Sequence, residues 1–111
     1  MKFRYPGWLL AGALLAASVP VQAQVKIGVI TSGTGATAFV GIPQKNTVAL
    51  LPRKIGDLGV EYVSYDDASD STQTVQLTKK LLSEDKVDAI IGPSGSPNAM
   101  GVLQFMAEAK T

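Results

Sequence analysis

The sequence predicts an α/β fold in which strand-helix units form part of a doubly wound parallel sheet. Three short apolar runs rich in β-branched residues alternate with longer segments that carry helical periodicity or helix-capping residues. No repeat or low-complexity tract interrupts this order. Such alternation is typical of parallel sheets with right-handed crossovers. We expect the strand order 2-1-3, which brings the loops at residues 31–41 and 92–97 together at the carboxyl edge of the sheet, where ligands bind in such folds.

The first unit begins with residues 25–30, a short β-branched run that predicts a strand buried on both faces. A loop of glycine and hydroxyl residues follows. Pro43 suits the first position of a helix, because the amide that proline lacks would be unpaired there. Pro52 cannot continue a helix. We therefore expect a short helix that begins at Pro43 and ends near residue 51.

The second unit begins with residues 60–65, whose β-branched and aromatic content predicts a strand. Asp70 stands three residues before Gln73, the spacing at which a capping carboxylate and a glutamine side chain pair with each other's free backbone amides. This capping box predicts that a helix starts at Asp70. The helix is expected to reach residue 83 and to bury one stripe of side chains: Val75, Thr78, Leu81 and Leu82.

The third unit begins with a predicted strand at residues 87–91, which a Gly-Pro-Ser-Gly turn closes. Ser96 then precedes Pro97, a pair that predicts a capping hydroxyl followed by a proline at the first helical position. The buried face of this third helix is expected to consist of Val102, Leu103, Phe105 and Met106.

The first 23 residues have the pattern of a secretory signal peptide rather than of a folded element. Lys2 and Arg4 precede an apolar run at residues 8–17, and a small-residue cleavage site ends at Ala23. An apolar run of this length falls short of the roughly 20 residues that span a bilayer, so a membrane anchor is the weaker interpretation. We predict cleavage after Ala23 and export to the periplasm.

Composition excludes several classes of function. The chain contains no cysteine and no histidine, so it has no disulfide framework, no thiolate metal site, and no Cys-His or Ser-His catalytic pair. Without Lys2 and Arg4, eight basic residues remain against nine acidic ones, and no basic cluster for nucleic acid is present. The acidic residues at positions 66, 67 and 70 lack the spacing of a calcium loop and are interpreted as capping and turn residues.

Residues 33–38 match the dinucleotide-binding pattern G-x-G-x-x-A between a strand and a helix. Asp66 stands 28 positions beyond Ala38 rather than about 20, and a secretory signal removes the chain from the cytoplasmic nicotinamide pool. A Rossmann-type dinucleotide-binding domain of an oxidoreductase therefore remains the alternative interpretation. A third interpretation is that this loop is only a flexible connection between a strand and a helix, in a small secreted module that binds no ligand.

Ser96 is the most informative single residue. A helix that starts at Ser96 directs its free amides and the positive end of its dipole toward the glycine loop, an arrangement suited to a carboxylate ligand. The simpler interpretation is a helix cap with no ligand.

Three blocks of the mature chain resemble the periplasmic branched-chain amino acid binding protein family. They are residues 25–41, residues 63–70 with the motif Tyr-Asp-Asp-Ala-Ser-Asp, and residues 86–96 with the motif Ile-Ile-Gly-Pro-Ser. The resemblance implies a type I periplasmic binding fold, in which two doubly wound lobes close on a ligand and deliver it to an ABC importer. Only the first units of the first lobe are matched. Residues 24–111 are therefore expected to form an incomplete N-terminal lobe.

The resemblance also implies the partners and the site. The expected partners are a branched-chain amino acid or related small carboxylate and the membrane permease of an ABC importer, with no catalysis, no cofactor and no metal. Ser96 matches the serine that receives the ligand carboxylate, while Val40 stands where the family often has an aromatic residue, with Phe39 beside it. The predicted ligand-binding residues are Ser96, Gly95, Pro97, Phe39, Val40 and Thr34.

Overall fold

The computed structural model describes residue 2 and residues 24–111, so the predicted signal peptide lies, apart from Lys2, outside the described residues. The described part contains four strands and three helices, and each helix follows a strand. In chain order they are β1 (Gln24–Thr31), α1 (Ala38–Val48), β2 (Lys54–Ile55), β3 (Leu58–Asp66), α2 (Ser71–Ser83), β4 (Ala89–Ile91) and α3 (Ser96–Ala109). None of the helices in this part of the chain has the length and apolar character needed to cross a membrane.

Strand β1 lies at the centre of the sheet, whose order is β2-β3-β1-β4. It pairs in parallel with β3, from Gln24 opposite Gly59 to Thr31 opposite Asp66. It also pairs in parallel with β4 on its other side. The order of the three predicted strands is therefore confirmed. The short antiparallel strand β2, which extends the sheet beyond β3, was not predicted because a two-residue strand carries no periodicity.

Helix α1 differs from the prediction, because it begins at Ala38 and contains Pro43 in its interior. The first turn forms around the Thr37 carbonyl, which accepts hydrogen bonds from the amides of Val40 and Gly41 at 2.9 and 3.1 Å. A Cβ atom at Gly41 would overlap the carbonyl of Ser32. Only a glycine at position 41 permits this close packing, so the helix starts upstream of the proline. Pro43 has no backbone N–H, and one carbonyl of α1 therefore lacks its helical hydrogen-bond donor.

Helix α2 begins as predicted, since Asp70 is its N-cap and the Asp70 carboxylate accepts the amide of Gln73 at 2.8 Å. Its inner face packs on one side of the sheet, where Ile30, Leu81 and Val87 form the core. The predicted stripe is buried at Thr78 and Leu81 and half-buried at Val75 and Leu82.

Two burial predictions are wrong. Strand β1 is buried only from Gly28 to Thr31 and is half-buried at residues 25–27, because β4 pairs with it from Ile27 onward and the first residues lie at the rim of the sheet. In α3, Val102 is buried and Phe105 and Met106 are half-buried, but Leu103 is 58% exposed.

On the other side of the sheet, an open apolar groove of about 370 Å³ runs between α1 and the strands β1 and β4.

Candidate functional site

The candidate site lies at the carboxyl ends of β1, β3 and β4, where the two loops expected to be neighbours are joined. The backbone amide of Ser32 donates a hydrogen bond of 3.2 Å to the hydroxyl oxygen of Ser94. The Ser94 hydroxyl in turn donates to the side-chain carbonyl of Gln44 in α1. The loop after β1, the loop after β4 and helix α1 therefore meet at Ser94.

The loop after β1 is held closely against the turn that follows β3. The hydroxyl of Thr34 donates to Oδ2 of Asp66 at 2.9 Å, and the Thr34 carbonyl accepts the hydroxyl of Ser69 at 2.8 Å. Thr37 also contacts Ser69, whose hydroxyl oxygen accepts the Thr37 amide at 3.0 Å. Gly35 has a φ of 82°, and a Cβ atom there would overlap the carbonyl of Ala68. These contacts fix the loop, contrary to the interpretation of a flexible connection.

Asp66 places a carboxylate against the glycine loop. Burial raises the pKa of Asp66, but hydrogen bonds from the Ala68 amide, the Thr34 hydroxyl and amide, and the Gly33 amide outweigh it and lower the pKa below its ordinary value. In a dinucleotide-binding protein, the backbone amides of the glycine loop face a pyrophosphate. Here the loop amides of Gly33 and Thr34 donate to the carboxylate of Asp66, whose negative charge would repel a phosphate. The geometry thus disfavours the dinucleotide alternative.

Asp67, the next residue, is a completely buried carboxylate that joins several elements. Its Oδ1 accepts the hydroxyl of Ser32 at 2.7 Å and the amide of Ser69 at 3.0 Å. Its Oδ2 accepts the hydroxyl of Thr74 in α2 at 2.8 Å and the side-chain amide of Asn98 in α3 at 2.9 Å. The carboxylate therefore ties the loop after β1 to both helices on one side of the sheet.

These four donors keep Asp67 ionised. Burial raises its pKa, but the hydrogen bonds from Ser32, Asn98, Thr74 and the Ser69 amide together lower it below its ordinary value. Within the described part of the chain, no buried polar side-chain atom lacks a hydrogen-bond partner, and no cluster of acidic residues has the arrangement of a metal site. The capping and turn interpretation of the acidic residues is supported by their contacts, since Asp66, Asp67 and Asp70 each accept a backbone amide two or three residues further along the chain.

The start of α3 differs from the prediction. Gly95, not Ser96, occupies the N-cap position, with φ −102° and ψ 138°, and no side chain caps the helix. The Gly95 carbonyl accepts the amide of Ala99 at 2.9 Å, so the helix begins one residue earlier than the Ser-Pro pair suggested. Ser96 is the exposed first residue of the helix and Pro97 is the second. The hydroxyl of Ser96 is consequently not used as a cap.

The structure places the predicted ligand-binding residues on two neighbouring segments of this edge. Phe39 and Val40 lie in the first turn of α1, where Phe39 is 77% exposed and Val40 is half-buried. Thr34 is exposed, but its hydroxyl is bound to Asp66. Gly95, Ser96 and Pro97 form the start of α3. The role of these six residues in solute binding stays a prediction.

Sequence reasoning interpreted Asp67 only as a capping or turn residue, and it assigned no joining role to the residues that connect these segments, namely Ser32, Ser94, Asp67, Thr74 and Asn98. One signal was available, since each is a small polar residue in a segment that follows a strand or in the first turn of a helix. That pattern alone does not distinguish a buried hydrogen-bonding residue from a solvated turn.

Comparison with known proteins identifies the family. The sequence profile described as "Periplasmic binding protein" matches residues 24–111. An extracellular ligand-binding receptor from Rhodopseudomonas palustris HaA2 is 48% identical with a TM-score of 0.78, and the match covers 81% of this chain and 25% of the receptor. No curated protein matches the chain significantly.

Two further solved structures have described ligands. A solute-binding protein of an ABC transporter from Rhodopseudomonas palustris BisB5, in complex with 3,4-dihydroxybenzoic acid, is 28% identical with a TM-score of 0.74, covering 79% of this chain and 25% of that protein. A leucine-binding protein from Thermotoga maritima is 26% identical with a TM-score of 0.73, covering 78% and 25%. The chain thus spans about a quarter of the length of these structures. On the profile match and the structural similarity, the chain belongs to the periplasmic binding protein family and forms part of a lobe of the type I periplasmic binding fold.

Proposed function

We propose that this chain provides part of the solute-binding lobe of an exported receptor, which captures a small carboxylate and delivers it to an ABC importer without catalysis. The observation that carries the proposal is the juxtaposition of two loops at the carboxyl edge of the sheet. The Ser32 amide is bound to Ser94 at 3.2 Å, which holds the first turn of α1 beside the start of α3. Ligands bind at this edge in doubly wound sheets.

The open start of α3 suits a carboxylate group. No side chain occupies the cap position, and the exposed Ser96 hydroxyl stands beside the free amides of the first turn. These amides and the helix dipole attract negative charge. We infer that Ser96, flanked by Gly95 and Pro97, receives the carboxylate, and that Thr34, which is exposed, lines the same edge of the sheet.

The solute class follows from the same edge and from the relatives. The exposed ring of Phe39, with the half-buried Val40, offers an apolar surface for the body of the solute. Leucine and 3,4-dihydroxybenzoic acid, the ligands of two relatives, both combine one carboxylate with an apolar or aromatic body. We propose a branched-chain amino acid or a related small carboxylate as the solute.

The cellular context is part of the proposal. The N-terminal pattern with Lys2, Arg4 and a small-residue site at Ala23 supports export to the periplasm, and relatives are described as extracellular receptors and ABC transporter proteins. The partners are then the solute and a membrane permease. Mass spectrometry of the exported chain should find Gln24 at the mature N-terminus, and an uncleaved chain in the cytoplasm would contradict export.

Solute binding can be tested in a hybrid receptor, in which residues 24–111 replace the matching quarter of the Rhodopseudomonas palustris HaA2 receptor. The 48% identity and the TM-score of 0.78 support the exchange. Calorimetric titration with leucine, isoleucine, valine and hydroxybenzoates should detect saturable binding of at least one carboxylate, but not of its amide derivative. A cooperatively folded hybrid that binds none of them, while the parent receptor binds one, would contradict the proposed function.

A further inference from the structure

We infer that Ser32, Asp67 and Ser94 act together as a positioning cluster, which sets the separation of the two solute-binding segments without touching the solute. The inference rests on the proposed function and assigns a role to residues outside the predicted site. Ser32 and Asp67 are each completely buried, so a solute at the sheet edge cannot reach them. Their effect on binding therefore has to pass through the residues that they hold.

Ser32 is the centre of the cluster because both its backbone and its side chain are used. Its amide donates to Ser94 at 3.2 Å and its hydroxyl donates to Asp67 at 2.7 Å. On its other side the Ser32 backbone packs against Gly41 so closely that no Cβ atom fits. The first residue after β1 is thus fixed to the loop after β4, to the turn after β3 and to helix α1.

Two separate routes connect Ser32 with the start of α3. One runs through Ser94, which stands two residues before Ser96 in the same loop. The other runs through Asp67 to Asn98, which stands two residues after Ser96 and is itself buried. Asn98 also accepts the hydroxyl of Ser71 at 3.0 Å, so its amide group cannot rotate freely. Ser96 is therefore held on both sides by contacts that originate at Ser32.

The first segment is fixed by the same cluster. Ser94 donates to Gln44 in α1, and Gly41 of that helix rests on Ser32. Phe39 and Val40 lie one turn or less from Gly41, so their position relative to Ser96 depends on Ser94 and Ser32. A change of even about 1 Å in such a separation weakens binding when hydrogen bonds and apolar contacts must form together.

Ser94 is the best residue for a test because it is only half-buried, so its substitution leaves the core intact. In the hybrid receptor, Ser94→Ala should weaken solute affinity roughly three- to tenfold, since it removes the hydrogen bond from the Ser32 amide and the hydrogen bond to Gln44. Ser94→Thr keeps the hydroxyl and should restore most of the affinity. Ser83→Ala is the matched control and should leave affinity unchanged, because the Ser83 hydroxyl donates to the Lys79 carbonyl within α2, away from the two solute-binding segments.

A double-mutant cycle separates positioning from general stability. If Ser94 acts by positioning Ser96, then Ser94→Ala should change affinity less than about twofold in a Ser96→Ala background, because the contact that it positions has already been removed. Additive effects, or an unchanged affinity in Ser94→Ala, would overturn the inference. If the unsubstituted hybrid binds no carboxylate, the proposed function fails instead, so the two failures are distinguishable.

Discussion

Lys26 and Asp88 pair reciprocally where β4 joins the sheet. The Lys26 amide donates to the Asp88 carboxylate at 2.9 Å, and the Asp88 amide donates to the Lys26 carbonyl at 2.7 Å. Together they extend the ladder between β1 and the short strand β4 by one residue pair. This anchor acts on one side of β4 only, because β4 is the last strand of the described sheet. Ile91 is 45% exposed there, next to the apolar groove beneath α1.

The open edge of β4 predicts the behaviour of residues 24–111 on their own. An unpaired strand edge beside exposed apolar side chains favours association, and Met100 and Leu103 of α3 are also 71% and 58% exposed. We expect the isolated segment to aggregate or to bind a hydrophobic dye as a loosely packed state. Analytical ultracentrifugation and thermal unfolding of a dilute sample check this, and a monomer with a sharp transition would contradict it.

The isolated segment should also bind solutes very weakly. Tight sites for small molecules bury about 70–90% of the ligand surface. The edge described here leaves Ser96 and Phe39 open to solvent, where hydrogen bonds contribute little. Calorimetry of residues 24–111 with leucine and with 3,4-dihydroxybenzoate should show no saturation at micromolar concentrations. Micromolar or tighter affinity would mean that this segment alone encloses the solute.

Replacement of Ser96 tests the proposed carboxylate contact. In the hybrid receptor, Ser96→Ala should remove one charge-assisted hydrogen bond, worth about 1.5–3 kcal/mol, while it keeps the backbone amides of α3. Affinity should fall by roughly tenfold to a hundredfold. Because Gly95 is the N-cap, this substitution removes no capping hydrogen bond, and the melting temperature should not change. Equal affinities of the two proteins would exclude Ser96 from the binding site.

Asp67 should make stability depend on pH. Its pKa is lower in the folded protein than its ordinary value of 3.8, so it stabilises the fold above that pH, and this contribution is lost as the pH falls through the folded pKa. Asp67→Asn should lower the free energy of unfolding of the hybrid by about 1–3 kcal/mol at pH 7, because the NH2 group of the new side chain cannot accept the hydrogen bonds that the carboxylate oxygen accepted. The difference in melting temperature between the two proteins should shrink below about pH 4.

The control for this experiment is Asp57→Asn, since Asp57 is exposed in the turn between β2 and β3. It should leave the melting temperature nearly unchanged at every pH. A difference between the unsubstituted protein and Asp67→Asn that stays constant down to pH 3 would show that the charge of Asp67 does not contribute to stability.

Two helical glycines should respond to alanine in opposite ways. A Cβ atom at Gly41 would overlap the Ser32 carbonyl, so Gly41→Ala should force α1 away from the loop and destabilise the hybrid by about 1–3 kcal/mol or more. At Gly101 the nearest atom is Cγ2 of Val75 at 3.7 Å, an ordinary contact. Gly101→Ala should therefore raise stability by up to about 1 kcal/mol through helix propensity. Melting curves of both variants check the prediction, and equal effects would contradict it.

The sequence by itself determined the parallel sheet, the strand order and the start of α2. These features depend on local patterns: β-branched runs mark the strands, and the spacing of Asp70 and Gln73 marks the cap that the structure contains. Alternation of such elements leaves few possible connections, since crossovers in parallel sheets are right-handed. The strand order also predicts that the loops at residues 31–41 and 92–97 lie together at the carboxyl edge of the sheet.

Tertiary structure alone decided the start of α1, the cap of α3 and the positioning cluster. Gly41 overrides the preference of Pro43 because its closest neighbour is Ser32, which lies in the loop after β1. The hydrogen bonds of Ser32 to Asp67 and Ser94 join residues that are 35 and 62 positions apart. Local periodicity carries no information about such pairs. These hydrogen bonds stabilise the protein only after folding has buried a carboxylate and several hydroxyl groups together. Each buried donor must then find an acceptor within the protein.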